Sequence, residues 1–64
     1  SYFLLPSVQC VYFRESETIY QMKGSRPVFG NPIHLSDAPE LWIKRLSKED
    51  KKLLEKDLKK YESN

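Results

Sequence analysis

Histidine, cysteine and glycine are nearly missing from this chain. Its 64 residues include one histidine (His34), one cysteine (Cys10) and two glycines (Gly24 and Gly30). Each scarcity removes a class of function. A single cysteine closes no internal disulfide, and one Cys with one His cannot complete a tetrahedral metal site. Gly24 and Gly30 form no phosphate-cradling loop, and both read as turn residues. A lone histidine needs a nucleophile and an orienting carboxylate close in space before it can catalyse anything. Ser36 and Asp37 lie close to His34 in sequence, but both are wanted at a helix start. The expected role of His34 is therefore structural, and the chain is expected to be neither an enzyme nor a holder of any cofactor or metal.

A long apolar run is also absent. Nothing approaches the roughly 20 residues of a membrane span. The opening Tyr2-Phe3-Leu4-Leu5 lacks a basic start and meets Pro6 too early for a signal peptide. The sequence begins at Ser1 rather than methionine, so it is expected to be an excerpt of a longer chain. The missing disulfide framework argues for a reducing compartment, hence an intracellular location, cytoplasmic or nuclear. Cys10, between Gln9 and Val11, reads as a small buried hydrophobe.

What is present suffices for a core. Hydrophobic residues make up 39% of the chain, too many for a disordered segment. Residues 1–64 are expected to form one small domain. So short a chain buries a modest share of its surface and gains from a partner.

The order of patterns predicts an α+β fold: a small antiparallel β-meander of about three strands, within 2–35, followed by two short C-terminal α-helices, within 38–62, packed on it. Val8 to Phe13 is β-branched and aromatic, apolar on both faces, and reads as a strand. Arg14 to Glu17 is a polar break, and Thr18 to Met22 a second strand. Lys23-Gly24-Ser25-Arg26 turns the chain. Pro27-Val28-Phe29 makes a short third strand, starting at a residue that cannot donate to a ladder. Gly30-Asn31-Pro32 is a turn signal, with Ile33 to Leu35 extended beyond it.

Two capped helices follow. Asp37 and Ser47 each stand three residues ahead of a carboxylate, Glu40 and Asp50, where a capping oxygen accepts a free first-turn N–H. Pro39 fits a first turn. Ala38, Leu41, Trp42 and Leu46 share one face of the first helix; Leu53, Leu54, Leu58 and Tyr61 share one face of the second.

The net charge of +2 lies wholly in the tail. Residues 44–64 hold eight basic and five acidic side chains. Lys44, Arg45, Lys48, Lys51 and Lys52 cluster at the helix–helix junction as possible nucleic-acid contacts. The interleaved Glu49, Asp50, Glu55 and Asp57 would repel phosphates, and base-reading Arg, Asn and Gln are scarce on the second helix. A solvated charged face is therefore favoured over a nucleic-acid surface.

Eight aromatics exceed what so small a core readily hides. The run Tyr2, Phe3, Leu4 and Leu5, placed outside the main sheet, and Trp42 are the expected partner-binding residues. The run is suited to adding a strand to a partner or to a second copy. The expected function is thus non-enzymatic protein–protein interaction, with self-association possible and nucleic-acid binding as the alternative. No membrane partner is expected.

Thr18-Ile19-Tyr20-Gln21-Met22-Lys23-Gly24 resembles the central strand of chromo and chromoshadow domains. That resemblance implies three curved strands closed by a C-terminal helix. Met22 stands where chromodomains place a tryptophan of the methyl-lysine cage. The resemblance therefore implies a dimer or peptide binder rather than a methyl-lysine reader, and serves as an architecture without identifying a family.

Overall fold

The computed structural model describes residues 1–61. The fold is α+β. Strands β1 (Tyr2–Leu5), β2 (Cys10–Phe13), β3 (Thr18–Lys23) and β4 (Arg26–His34) form one antiparallel sheet in chain order. A short helix α1 (Glu40–Lys44) and the main helix α2 (Lys48–Leu58) follow. Single 3-10 turns occupy Pro6–Val8, Leu35–Asp37 and Lys59–Tyr61. Among the described residues no helix is long and apolar enough to cross a membrane. The expected helical range ends at Glu62, which lies outside the described residues.

The sheet has four strands rather than about three, because Tyr2–Leu5 joins it. Pro6 was expected to separate that run from the sheet. It instead opens the 3-10 turn, where a missing N–H costs nothing. Gln9 then takes a left-handed φ of 53° and sends its N–H to the Pro6 carbonyl at 3.2 Å. The reversal is tight enough for Leu5 to face Cys10.

Gly30-Asn31-Pro32 does not turn the chain either. It lies within β4 as a bulge, with Asn31 at φ 57°. Ile19 faces Ile33 and Gln21 faces Val28, so β3 advances two residues while β4 advances five. The surplus residues bend β4 without ending it. Gly24 does turn the chain as expected, at φ 63°.

The first helix also differs. Asp37 belongs to the preceding 3-10 turn, and α1 starts after Pro39 with no side-chain cap. At five residues, α1 is too short to hold one apolar face. Leu41 points to solvent, and Ile43 docks on the core beside Ala38 and Trp42. At α2 the reading holds: Ser47 Oγ accepts the Asp50 N–H at 3.1 Å.

The core consists of Leu5, Tyr12, Ile19, Leu35, Leu46 and Leu54. Helix α2 covers one face of the sheet and contributes Leu54. Two carboxylates, Asp50 and Asp57, share this buried stripe, each 5% exposed. Both were expected on the solvated face. They lie four residues before and three after Leu54, so helical geometry turns them inward with it.

Each is satisfied. Asp50 accepts from the Ser7 N–H at 3.0 Å and from the Ser7 hydroxyl. The Ser47 N–H donates back to Ser7 Oγ at 3.0 Å. This ring ties the turn after β1 to the start of α2. Ser7→Ala removes its central hydroxyl and is expected to cost about 1–3 kcal/mol, read as a lower urea midpoint with unchanged slope. A midpoint equal to the parent's would show that the ring contributes nothing.

Candidate interaction surface

Strand alternation gives the sheet two unlike faces. Phe3, Leu5, Cys10, Tyr12 and Ile19 face the helix. Tyr2, Leu4, Val11, Phe13, Tyr20, Met22, Pro27 and Phe29 lie on the other side, where no helix covers them. None of these eight carries a charge. Most half-covered antiparallel sheets turn polar residues to water; this one does so at the end beside Phe13, where the register places Thr18 and His34.

Four rings cross that face, one per strand. Ring centroids lie 5.8 Å apart from Tyr2 to Phe13, 5.5 Å from Phe13 to Tyr20 and 5.2 Å from Tyr20 to Phe29. The last two contacts are edge-to-face, an arrangement that aromatic quadrupoles favour. The ends of the ladder are open: Tyr2 is 61% and Phe29 63% exposed. Leu4 is 54% exposed. Val11 is covered by its neighbours to 3% and floors a groove of about 420 Å3. Tyr2, Leu4, Phe13 and Met22 line this groove, and the Gly24–Ser25 turn forms its far wall.

The two sheet edges differ as well. Pro27 and Pro32 deprive β4 of donors on its outer side, which blunts it against further pairing. β1 has no proline inside it.

The residues expected to bind a partner separate accordingly. Tyr2 and Leu4 lie on the open face. Phe3 is half-buried, stacked on Tyr12 at 6.4 Å with the Arg14 guanidinium 4.6 Å above it. Leu5 is completely buried and belongs to the core. Trp42 packs against that core from α1 and lines a small groove with Arg45, Pro6 and Gln9. Sequence reasoning missed Phe13, Tyr20 and Phe29 as surface partners of Tyr2. Their signal was alternation: Tyr20 and Met22 on one strand, Phe13 and Val11 on the next.

Lys44, Arg45, Lys48, Lys51 and Lys52 are all exposed on the helical side. No ion pair engages any of them among the described residues.

His34, Ser36 and Glu17 do come together. His34 Nδ1 accepts the Ser36 N–H at 3.1 Å and lies 2.8 Å from Ser36 Oγ. On the other side of the ring, Nε2 faces Glu17 Oε1 at 3.9 Å. Glu17 is already engaged. Lys60 donates to it at 2.7 Å, and the Tyr61 hydroxyl donates as well. The Lys60 hydrogen bond first, then that of Tyr61, hold the Glu17 carboxyl below its ordinary range. His34 caps the Leu35–Asp37 turn, and Glu17 anchors the Lys59–Tyr61 turn to the β2–β3 turn. Among the described residues no group of His, Cys, Asp and Glu is arranged to hold a metal ion.

In comparisons with protein-family models, curated proteins and solved structures, the chain matches none.

Proposed function

We propose that this chain is a non-enzymatic binding module that docks another protein on the uncharged face of its sheet. The observation that carries this reading is the four-ring ladder from Tyr2 to Phe29 across all four strands. Aromatic side chains supply large contact area at low entropic cost and dominate interface hot spots. A continuous exposed apolar patch is uncommon unless something binds it. The groove over Val11 offers an aliphatic or aromatic anchor a seat.

A second reading draws on the helical side. Burial of Asp50 and Asp57 removes two carboxylates that would have weakened a phosphate-binding surface. The exposed lysines Lys48, Lys51, Lys52, Lys56 and Lys59 then outnumber Glu49 and Glu55 on α2 and just beyond it. This favours nucleic acid as the alternative ligand.

Selection on the immobilised chain separates the two, using a random peptide library in parallel with a random oligonucleotide pool. The expected winners are peptides with apolar anchors. Their affinity falls about tenfold or more in Phe29→Ala and is indifferent to Lys51→Glu with Lys52→Glu. Oligonucleotide binding that weakens steeply with salt, with no peptide enriched, would overturn the first reading in favour of the second.

A further inference from the structure

We infer that β1 pairs edge to edge with β1 of a second copy, antiparallel, about a two-fold axis at Phe3. The argument starts from hydrogen-bond parity. Arg14 N–H donates to the Ser1 carbonyl, and the β1–β2 register places Phe3 opposite Tyr12 and Leu5 opposite Cys10. In an antiparallel ladder directly opposed pairs alternate between bonded and non-bonded. Phe3 and Leu5 therefore bond inward to β2, whereas the N–H and C=O of Tyr2 and Leu4 point out of the sheet edge.

A strand that satisfies this edge must be extended and short, with outward groups spaced two residues apart. β1 meets its own requirement. With Tyr2 opposite Leu4 of the second copy, and Leu4 opposite its Tyr2, both residues exchange both bonds on each side. The pairing is isologous, so one contact closes two open edges.

Charge permits it. Tyr2 to Leu5 contains no Asp, Glu, Lys, Arg or His. Arg14, the cation nearest the axis through its contact with Phe3, is bonded to Asp57 at 3.2 Å. Each Arg14 charge is therefore compensated by its own Asp57 where the two copies meet. The other edge of the sheet is blunted by Pro27 and Pro32, which directs association to β1. A four-residue edge is small against the roughly 800 Å2 per partner of a stable interface, so the dimer is weak and concentration-dependent. This association uses the edge and is independent of what docks on the aromatic face.

The test is sedimentation equilibrium of the chain across a concentration series, combined with amide exchange. The mass average is expected to climb from monomer towards dimer. Exchange at Tyr2 and Leu4 is expected to slow with concentration, about twofold when half of the chains are paired, while Phe3 and Leu5 stay constant. Leu4→Pro deletes an outward donor unused in the chain's own sheet and is expected to restore the monomer. Leu4→Lys places a charge on the exposed edge and does the same if the proline variant fails to fold. A parent chain that stays monomeric throughout overturns the inference. So does a dimer that survives both variants, or one that protects Phe3 rather than Leu4.

Discussion

Replacing Leu54 with alanine is expected to leave the chain largely unfolded at room temperature. Leu54 is completely buried and is the residue by which α2 enters the core shared by Leu5, Tyr12 and Ile19. Truncating a buried leucine costs about 2–5 kcal/mol, depending on how far the cavity collapses. A core in a domain this small supplies only about 3–5 kcal/mol in total. Loss of amide dispersion in the nuclear magnetic resonance spectrum and of a cooperative urea transition would report the effect. Leu53→Ala is the control. Leu53 is 38% exposed, and its loss should change stability by about 0.5 kcal/mol or less. Similar midpoints for both variants would show that α2 does not dock through Leu54.

The second large effect is expected at Asp57. Its carboxylate accepts the Tyr12 hydroxyl at 2.6 Å and the Arg14 Nε–H at 3.2 Å. Removing it in Asp57→Ala strands a buried hydroxyl and a half-covered guanidinium. Leaving a buried hydroxyl unsatisfied costs about 1–3 kcal/mol, and loss of the partly exposed Arg14 pair adds up to about 1 kcal/mol. Tyr12→Phe combined with Asp57→Leu removes both polar partners and should recover much of that loss.

The same pair sets a pH signature. Burial pushes the Asp57 carboxyl up, but the bonds from Tyr12 and Arg14 outweigh it and hold the group below its ordinary 3.8. The stability from Asp57 is complete above that ordinary value and is lost as the pH falls through the lower folded one. Tyr12 shifts the other way. Burial first, then its bond to Asp57, raise its hydroxyl well above the ordinary 10.0. Its contribution is complete below pH 10.0 and disappears as pH rises towards the folded value. Urea midpoints plotted against pH should fall at both ends. Tyr12→Phe should flatten the alkaline limb, and an unchanged limb would show that the phenol does not titrate with folding.

Much of this was legible in the sequence because local rules decide it. Ser47 ahead of Asp50 caps α2, Gly24 makes its turn, and the β-branched and aromatic runs became strands. What stayed hidden depended on partners distant in sequence. Pro6 reads as a break until the turn after it brings Leu5 against Cys10. Gly30-Asn31-Pro32 reads as a turn because nothing local shows that β3 will hold the flanking residues on either side. Asp50 and Asp57 read as solvent charges because their acceptors are filled by Ser7, Tyr12 and Arg14, about forty residues away. Positions 50, 54 and 57 share a helical stripe, but two carboxylates on it speak against burial when their partners lie far away in sequence. The candidate surface was half legible. Tyr2 and Leu4 were expected to meet a partner, whereas nothing local distinguishes Phe13, Tyr20 and Phe29 from core aromatics, because the helix that leaves their face open is distant in sequence.

The side-chain bonds that fasten α2 and its cap to the rest of the chain all span a narrow range of separations, from 39 residues for Arg14–Leu53 to 45 for Tyr12–Asp57. The strands, in contrast, pair only with their neighbours along the chain. Assembly order follows from this contrast, since closing a long loop costs entropy before any contact repays it. As the chain leaves a ribosome, the meander can be laid down strand by strand, with both faces apolar and neither covered. The lid that makes one of those faces an interior arrives last. Until the codons beyond Asp57 have been read and their residues have emerged, a nascent molecule presents two sticky surfaces where the finished one presents one.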